Sequence, residues 1–429
     1  MRKLISLTLL SCLCAALTGC ARGKESQEKA EAPLHIVVAT DLHYLSPKLT
    51  DYGTGFMRML ENGDGKVTQY SPEIVDSFLM EVSKLHPAAL ILSGDLAFNG
   101  ERESHEELAG RLVQLQEEGI PVLVIPGNHD LNNPFAASFE GETVTRTSPV
   151  SGEEFADIYG NSGYGVAASK DEESLSFLYQ LTEKVWLLLL DSNTRESPGR
   201  LREGTLLWLE EQLEKAKESG ASVITVTHQN VLIQNSLLSQ GFVMGNHEET
   251  AELLHQYGVR LNLSGHVHIQ HIAEENGLYD VATGALSVSP NQYGLIEIDT
   301  QGKISYGTKT VAMAKQVATA ESEEEKAGID VIAREFFDNC TRRKMEKELA
   351  PFDAPPEEKE RMVELAVMMN RDYFAGTMKK NEEIRKMDAW KLWEEKGENL
   401  FFKRYMDSMM EDEGREGNRL VIEPWSVEE

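Results

Sequence analysis

Five short apolar runs in this chain each end on Asp, Asn or His, and this limits the possible fold more than any other feature. Residues 35–40 lead into Asp41-Leu42-His43, and residues 88–93 lead into Gly94-Asp95-Leu96. Residues 121–126 lead into Gly127-Asn128-His129-Asp130, residues 222–227 into His228, and residues 261–264 into Gly265-His266-Val267-His268. Apolar runs of this length read as strands. In open α/β sheets, ligands bind beyond the carboxyl ends of the strands. Carboxylate, amide and imidazole groups at five such ends suit a site that holds two metal ions.

Between the runs the periodicity turns helical. Residues 72–85 read as a helix entered through Ser71 and Pro72, and residues 103–118 as a second, followed by Gly119. Residues 205–218 and 247–257 read as two more, stopped by Gly220 and Gly258. Strand–helix alternation of this kind predicts an α/β sheet. Further strands are expected at 175–181, 185–191, 278–282, 293–298 and 304–309, the last three near enough to pair antiparallel.

Two stretches read as loops. Residues 45–70 contain Asn62-Gly63-Asp64-Gly65, which starts like a calcium loop but lacks the rest of the ligand pattern and reads as a surface turn. Residues 131–170 form a long insertion after the Asn-His-Asp segment, and long loops often act as lids. Its Tyr159 and Tyr164 either stack on a substrate base or pack within the loop.

The N-terminus has the form of an export signal. Met1-Arg2-Lys3 is basic, and residues 4–17 are apolar but too short to span a bilayer comfortably. Leu17-Thr18-Gly19-Cys20 resembles the bacterial lipoprotein signal, which implies cleavage before Cys20 and lipidation of it. The other reading is an ordinary secretory signal cleaved near Ala21. The expected layout is a signal peptide over 1–19 and a solvated tether over 20–34, giving an exported protein anchored to the cell membrane by its N-terminal lipid. Cleavage there removes Cys12 and Cys14 and leaves Cys340 without an internal partner, so the fold relies on its core.

The chain carries a net charge of −29. So acidic a surface repels nucleic acid, and no duplex binding is expected. A phosphate substrate must be attracted locally, and bound cations supply that attraction. After residue 320 the composition shifts: residues 321–429 hold 29 acidic and 19 basic residues. Apolar residues there recur at helical spacing, as in Val363-Val367 and Trp390-Trp393. Three or four amphipathic helices are expected in this appended acidic region, with their Met and aromatic stripes used for packing. The charge suggests a solvated cap over the pocket.

The motif order D-x-H, G-D, G-N-H-D, H, G-H-x-H resembles the calcineurin-like metallophosphoesterase superfamily over roughly residues 35–310. The resemblance implies a four-layer α/β/β/α sandwich over 35–320, with the C-terminal helical region appended over 321–429. It also implies two divalent ions, for which imidazole and carboxylate ligands suit Mn²⁺, Fe²⁺ or Zn²⁺. Asp95 stands where the family's bridging carboxylate stands. Asp41, His43 and His268 would complete the first site, and Asn128, His228 and His266 the second. In the family, a hydroxide bridging the metals attacks phosphorus in line, its parent water having its pKa lowered from about 15.7 toward about 7. His129 would protonate the leaving oxygen, and Asp130 would orient His129 or else serve as a turn or cap residue. Gly94, Gly127 and Gly265 fit tight turns near the metals.

Purple acid phosphatases have an iron-ligating Tyr where this chain has Phe98, so a tyrosinate–iron(III) site is not expected. The Asp-Leu-His and Gly-Asn-His-Asp motifs look closer to the bacterial cyclic-nucleotide phosphodiesterase branch. The leading expectation is therefore a phosphodiesterase acting on cyclic nucleotides or other small phosphodiesters. A phosphomonoesterase or nucleotidase on the same site is the alternative, and a non-catalytic surface-binding lipoprotein is the third reading. His35, His86, His105, His247, His255 and His271 read as surface or core residues. Gln229 and Asn230 are candidates for the pocket wall.

Overall fold

The computed structural model describes residues 32–313, 328–378, 381–411 and 416–424. The signal segment, Cys20 and most of the expected tether lie outside the described residues.

The expected strands form two sheets. In the first, β1 (Leu34–Ala39), β2 (Ala89–Ser93) and β3 (Val122–Ile125) run parallel, with Ile36 opposite Ala89 and Leu92 opposite Val124. Helices α2 (Ser71–Leu85) and α3 (Arg102–Glu117) make the crossovers. In the second sheet, β8 (Val185–Leu190), β9 (Ser222–Thr227) and β10 (Leu261–Ser264) run parallel, joined by α5 (Glu203–Ser219) and α6 (His247–Gln256). Both β2 and β3 are buried throughout, as a parallel strand covered on each face must be.

Side-chain alternation along β8 shows how the layers stack. Leu187 and Leu189 join one apolar core with Val37, Leu90 and Leu123 of the first sheet and with α2 and α3. Trp186, Leu188 and Leu190 point the other way, into a core shared with Leu209 and Leu213 of α5 and Leu254 of α6. The result is helices, sheet, sheet, helices.

Several elements differ from the sequence reading. The stretch 45–70 contains a helix, α1 (Thr54–Glu61), whose buried Phe56 and Leu60 pack with Phe98 and Phe139. The insertion 131–170 holds a hairpin of β4 (Ala137–Glu140) and β5 (Thr143–Arg146), helix α4 (Gly152–Ile158) and a short strand, β6 (Ser169–Lys170). Beyond it, β7 (Phe177–Gln180) pairs antiparallel with β8. Strand β11 (His271–Glu275) was not expected, and it pairs antiparallel with β12 (Leu278–Ala282). That pairing corrects the sequence reading of β12. It lies in the second sheet, parallel to β10, because Val281 opposite Leu263 buries both residues in the inter-sheet core. Only β13 (Gln292–Ile298) and β14 (Ile304–Thr310) make the expected antiparallel pair.

The C-terminal region contains five helices among the described residues. They are α7 (Ile329–Leu349), α8 (Pro356–Phe374), α9 (Asn381–Lys386), α10 (Asp388–Lys396) and α11 (Phe401–Met410). A last strand, β15 (Arg419–Ile422), adds to the edge of the first sheet beside β14. Residues 33–429 therefore form one compact unit. The Met and aromatic stripes are core: Met362, Met369, Trp390, Trp393, Met406 and Met409 are buried together. That core also takes in Val267 and Ile269, so the region is packed onto the second sheet's strand ends rather than solvated.

Trp393 is fully buried and its Nε1 donates to the Met362 carbonyl at 3.0 Å. Trp393→Ala should cost about 3–5 kcal/mol by leaving a cavity. The check is urea unfolding, where the midpoint should fall while the slope stays unchanged.

Candidate metal centre

The carboxyl ends of β1, β2 and β3 meet those of β9 and β10, and all five Asp/Asn/His motifs converge there. The backbone departs from ordinary geometry where the ligands sit. Asp41, His43, Asp95, His266 and His268 all have positive φ, between 43° and 68°. Left-handed backbone on a residue with a side chain costs about 1–3 kcal/mol and persists only when its surroundings over-determine it. Here the loops hold one another. Asp41 N donates to the Gly94 carbonyl and His43 N to the Asp95 carbonyl, both at 3.0 Å. Gly265 N donates to the His228 carbonyl, also at 3.0 Å. A side chain at Gly127 would overlap Asp95 Oδ1, and one at Gly265 would overlap Thr40 Oγ1. Both positions therefore require glycine.

Two ligand groups share Asp95: Asp41, His43, Asp95 and His268 in one, and Asp95, His228 and His266 in the other, each with ligand atoms within 4.8 Å of one another. In the first, Asp41 Oδ1 lies 3.2 Å from His268 Nε2 and 3.8 Å from His43 Nε2, and those two nitrogens face each other at 3.4 Å. In the second, His228 Nε2 lies 3.4 Å from Asp95 Oδ1 and 3.0 Å from Asn128 Oδ1. Asp41 Oδ1 is buried and has no hydrogen-bond partner among the described residues. A buried carboxylate oxygen left unpaired is costly, and a cation at that point would remove the cost. Facing imidazole nitrogens, shared Asp95 and orphaned Asp41 Oδ1 fit a dinuclear site.

Burial alone would raise the Asp41 carboxyl. The charges of His268 and His228 outweigh it and hold Asp41 below its ordinary value. Burial opposes ionisation of Asp95 too, but His228 and His129 hold it well below the usual range. Burial would lower His228, but Asp95 pushes it up to about 9. His268, likewise desolvated, is pushed up to about 9 by Asp41 and Asp64. Burial prevails at the other two histidines. It holds His43 well below its normal value, with Lys66 adding, and His266 down to about 4, with His228 adding.

Outer contacts orient the ligands. His228 Nδ1 donates to the Ser93 carbonyl at 2.9 Å, and His266 Nε2 to the Gly241 carbonyl at 2.9 Å. The Asp41 Oδ2 atom accepts from Thr40 Oγ1 and His266 N. His129 N donates to Asp95 Oδ1, and its ring places Nε2 4.0 Å from Asp95 Oδ2. The opposite ring nitrogen, Nδ1, lies 3.1 Å from both the Phe98 carbonyl and Asn99 Oδ1.

Asp130 was expected behind His129, but its carboxylate points elsewhere. It accepts from the amides of Leu96, Ala97 and Gly127, at 3.1, 2.9 and 2.8 Å, and so ties the Asp95 turn to the Asn128 turn. Burial and the Asp95 charge push Asp130 up to about 7 against those three donors. Tyr159 and Tyr164 are core residues: the first bonds His105 and the second the Val124 carbonyl. Neither is free to stack on a substrate. Gln229 does reach a pocket wall, while Asn230 bonds Ser264 and Gly265 within the fold.

The sequence reading missed Asn99, Gly241 and Asp64. Asp64 sits on the turn expected at residues 62–65, and from there places Oδ2 3.2 Å from His268 Nδ1. Only the unusual Asn-Gly-Asp-Gly string hinted at it.

Two facing sheets with Asp, His and Asn gathered at their strand ends define a metal-dependent phosphoester hydrolase. The chain belongs to the calcineurin-like phosphoesterase family, whose family model matches residues 34–270, more than half of its length. A second family model, the C-terminal domain of cyclic nucleotide phosphodiesterase, matches residues 330–416. A probable cyclic nucleotide phosphodiesterase of a Synechococcus species is 29% identical over 186 residues. The match spans 42% of this chain and 58% of that relative, less than two thirds of its length. A dimetal phosphatase from Danio rerio shares the fold, with a TM-score of 0.50 at 13% identity over 66% of this chain and 100% of that one.

His228 and His268 hold protons up to about pH 9 without metal, and a histidine must be unprotonated to ligate. Metal uptake should therefore release protons, and apparent affinity should rise with pH toward about 9. Mn²⁺ titration calorimetry at about pH 7 in buffers of different ionisation enthalpy should give different heats. Equal heats would count against this protonation scheme.

Proposed function

We propose that this hydrolase is a phosphodiesterase and that its substrate is a cyclic nucleotide or another small phosphodiester. The observation that carries the reading is the match of residues 330–416 to a domain of cyclic nucleotide phosphodiesterases, on the same chain as the metal centre. The Synechococcus relative supports it.

A cleft of about 580 Å³ opens beside Asn128 and His266, within the usual range for a small-molecule site. Arg195 and Arg200 line it, and no carboxylate does. In a chain of net charge −29 such a wall concentrates positive potential where an anionic ester would lie. When bound, two divalent ions, of Mn²⁺, Fe²⁺ or Zn²⁺ type, supply Lewis-acid polarisation and a nucleophile generated from water. Asp41, His43, Asp95 and His268 would hold one ion, and Asp95, Asn128, His228 and His266 the other.

His129 handles the proton. Its Nδ1–H is anchored on Phe98 and Asn99, which leaves Nε2 facing the site. Burial lowers its basicity and Asp95 partly restores it; in its protonated form the ring would donate from Nε2 to the leaving oxygen. Asp130 acts on the frame: it fixes the two turns whose residues, Asp95 and Asn128, must keep their spacing. Arg195, on the wall of the cleft, would offer its guanidinium to the anionic ester.

The enzyme with Mn²⁺ should hydrolyse bis-p-nitrophenyl phosphate and cyclic nucleotides faster than monoesters, and EDTA should abolish the rate. A preference for monoesters would replace the diesterase reading with a nucleotidase one. His129→Ala should lower kcat by about 10²–10⁴-fold with two ions still bound, whereas Asp95→Ala should lose metal. Loss of metal in His129→Ala would show that His129 is a ligand.

Export and anchoring through a lipid on Cys20 are part of the same proposal, supported by the Leu-Thr-Gly-Cys string. Cys20→Ser should move the protein from the membrane fraction to the soluble fraction. Unchanged membrane association would overturn the lipid anchor.

A further inference from the structure

The C-terminal helices reach the metal centre without supplying a ligand. Val267 and Ile269, which flank His268, are buried in one apolar cluster with Met362, Tyr373, Trp393 and Met406. One residue further on, Gln270 N donates to the Phe374 carbonyl at 3.0 Å, and Gln270 Nε2 donates to the Gly417 carbonyl at 2.7 Å. The left-handed turn at His268 is thus clamped by the end of α8 and by the segment leading into β15.

A second arm reaches the same histidine from the other side. Asp64 Oδ2 lies 3.2 Å from His268 Nδ1, the ring nitrogen opposite the one that faces Asp41. Lys66 Nζ lies 3.5 Å from the same oxygen. The turn carrying Asp64 rests on α7. Gly65 has φ of 92°, and a Cβ there would come within 2.6 Å of the Phe337 ring. Arg343 Nε donates to the Glu61 carbonyl at 3.1 Å, just before the turn. Phe337 packs on Phe374 with ring centroids 4.9 Å apart. Both arms therefore start from one aromatic pair joining α7 and α8.

We propose that Asp64 is the positioning residue for His268, and that the C-terminal helices set metal affinity at the first site through Asp64. This rests on the reading of His268 as a metal ligand. A carboxylate on Nδ1–H fixes the tautomer, leaves the Nε2 lone pair free and stops the ring from turning. Loss of such an outer partner typically lowers metal affinity about 10–100-fold. The turn that carries Asp64 is tied at one end to α1 through Gly63 N on the Leu60 carbonyl and at the other to the Ser287 carbonyl through Val67 N, and Phe337 of α7 packs against Gly65 between them, beside the carboxylate.

The test is Mn²⁺ titration calorimetry on the metal-free full chain. Asp64→Ala should weaken one of two binding events by about 10–100-fold and leave the other unchanged. The metal-free variant should still fold, with an unchanged far-ultraviolet circular dichroism spectrum. Asp64→Asn, which keeps an acceptor without the charge, should recover part of the loss. Phe337→Leu should weaken the same event less, and combined with Asp64→Ala it should add little, because both act on one contact. Wild-type affinity at both sites in Asp64→Ala, or in Asp64→Asn should the alanine variant not fold, overturns the role of Asp64. Simple addition of the two effects overturns the link to the helices. His268→Ala separates the premises: if it still binds two ions as tightly as wild type, it is the ligand reading that fails.

Discussion

Asp41 and Asp95 are carboxylates buried where two sheets meet, and their ionised state needs positive charge within a few ångströms. The first sheet supplies both acids and His43. Most of the opposing imidazoles, His228, His266 and His268, come from the second sheet. Neither sheet can satisfy its own share, so the sheets must face each other with their carboxyl ends together. The loops must then turn inward within a residue or two of each strand end. Left-handed backbone at five ligand positions is the geometric consequence, and the cross-loop hydrogen bonds keep it in place.

What could be read from the sequence follows from the same constraint. Parallel strands covered on both faces leave unmistakable apolar runs, and the ligand residues sit directly after them, so Asp41, Asp95, Asn128, His228, His266 and His268 stand out. Groups that act through tertiary contact leave no such mark. Asp64 reaches His268 across 204 positions of chain, counted from the numbering. Gly241 contributes only a carbonyl, which any residue could offer. Asp130 stands next to His129 in sequence, yet its carboxylate turns back to three amides. Neighbourhood in sequence also misplaced β12, whose partner is fixed by inter-sheet packing and not by its proximity to β13.

The C-terminal region shows why charge alone misleads. Among the described residues, pairs such as Arg342–Glu360 and Lys391–Asp388 stand on the helix surfaces, where solvated ion pairs contribute little to stability. Its Met, Trp and Tyr residues form a core that would be exposed if the region stood away from the sheets. Once that core is shared with Val267 and Ile269, the helices can no longer move independently of the Gly-His-Val-His turn. None of their residues lines the cleft beside Asn128 and His266, so their influence is exerted from behind the ligands.

The protonation pattern bears on how such a centre can fold before it is loaded. His228 and His268, each raised to about 9, are cationic near neutrality when no metal is bound. Each lies beside a carboxylate that a metal would otherwise neutralise: His228 beside Asp95, His268 beside Asp41. His43 and His266 stay neutral mainly because burial disfavours their charged forms, with Lys66 adding at His43 and His228 at His266. The strands that carry the centre are held by a large apolar core, unlike small zinc domains that fold only with metal. Loading then becomes an exchange of protons for metal at a site already built. The residues that fix imidazole orientation, the Ser93 carbonyl for His228 and Asp64 for His268, consequently act on the metal-free and the loaded protein alike.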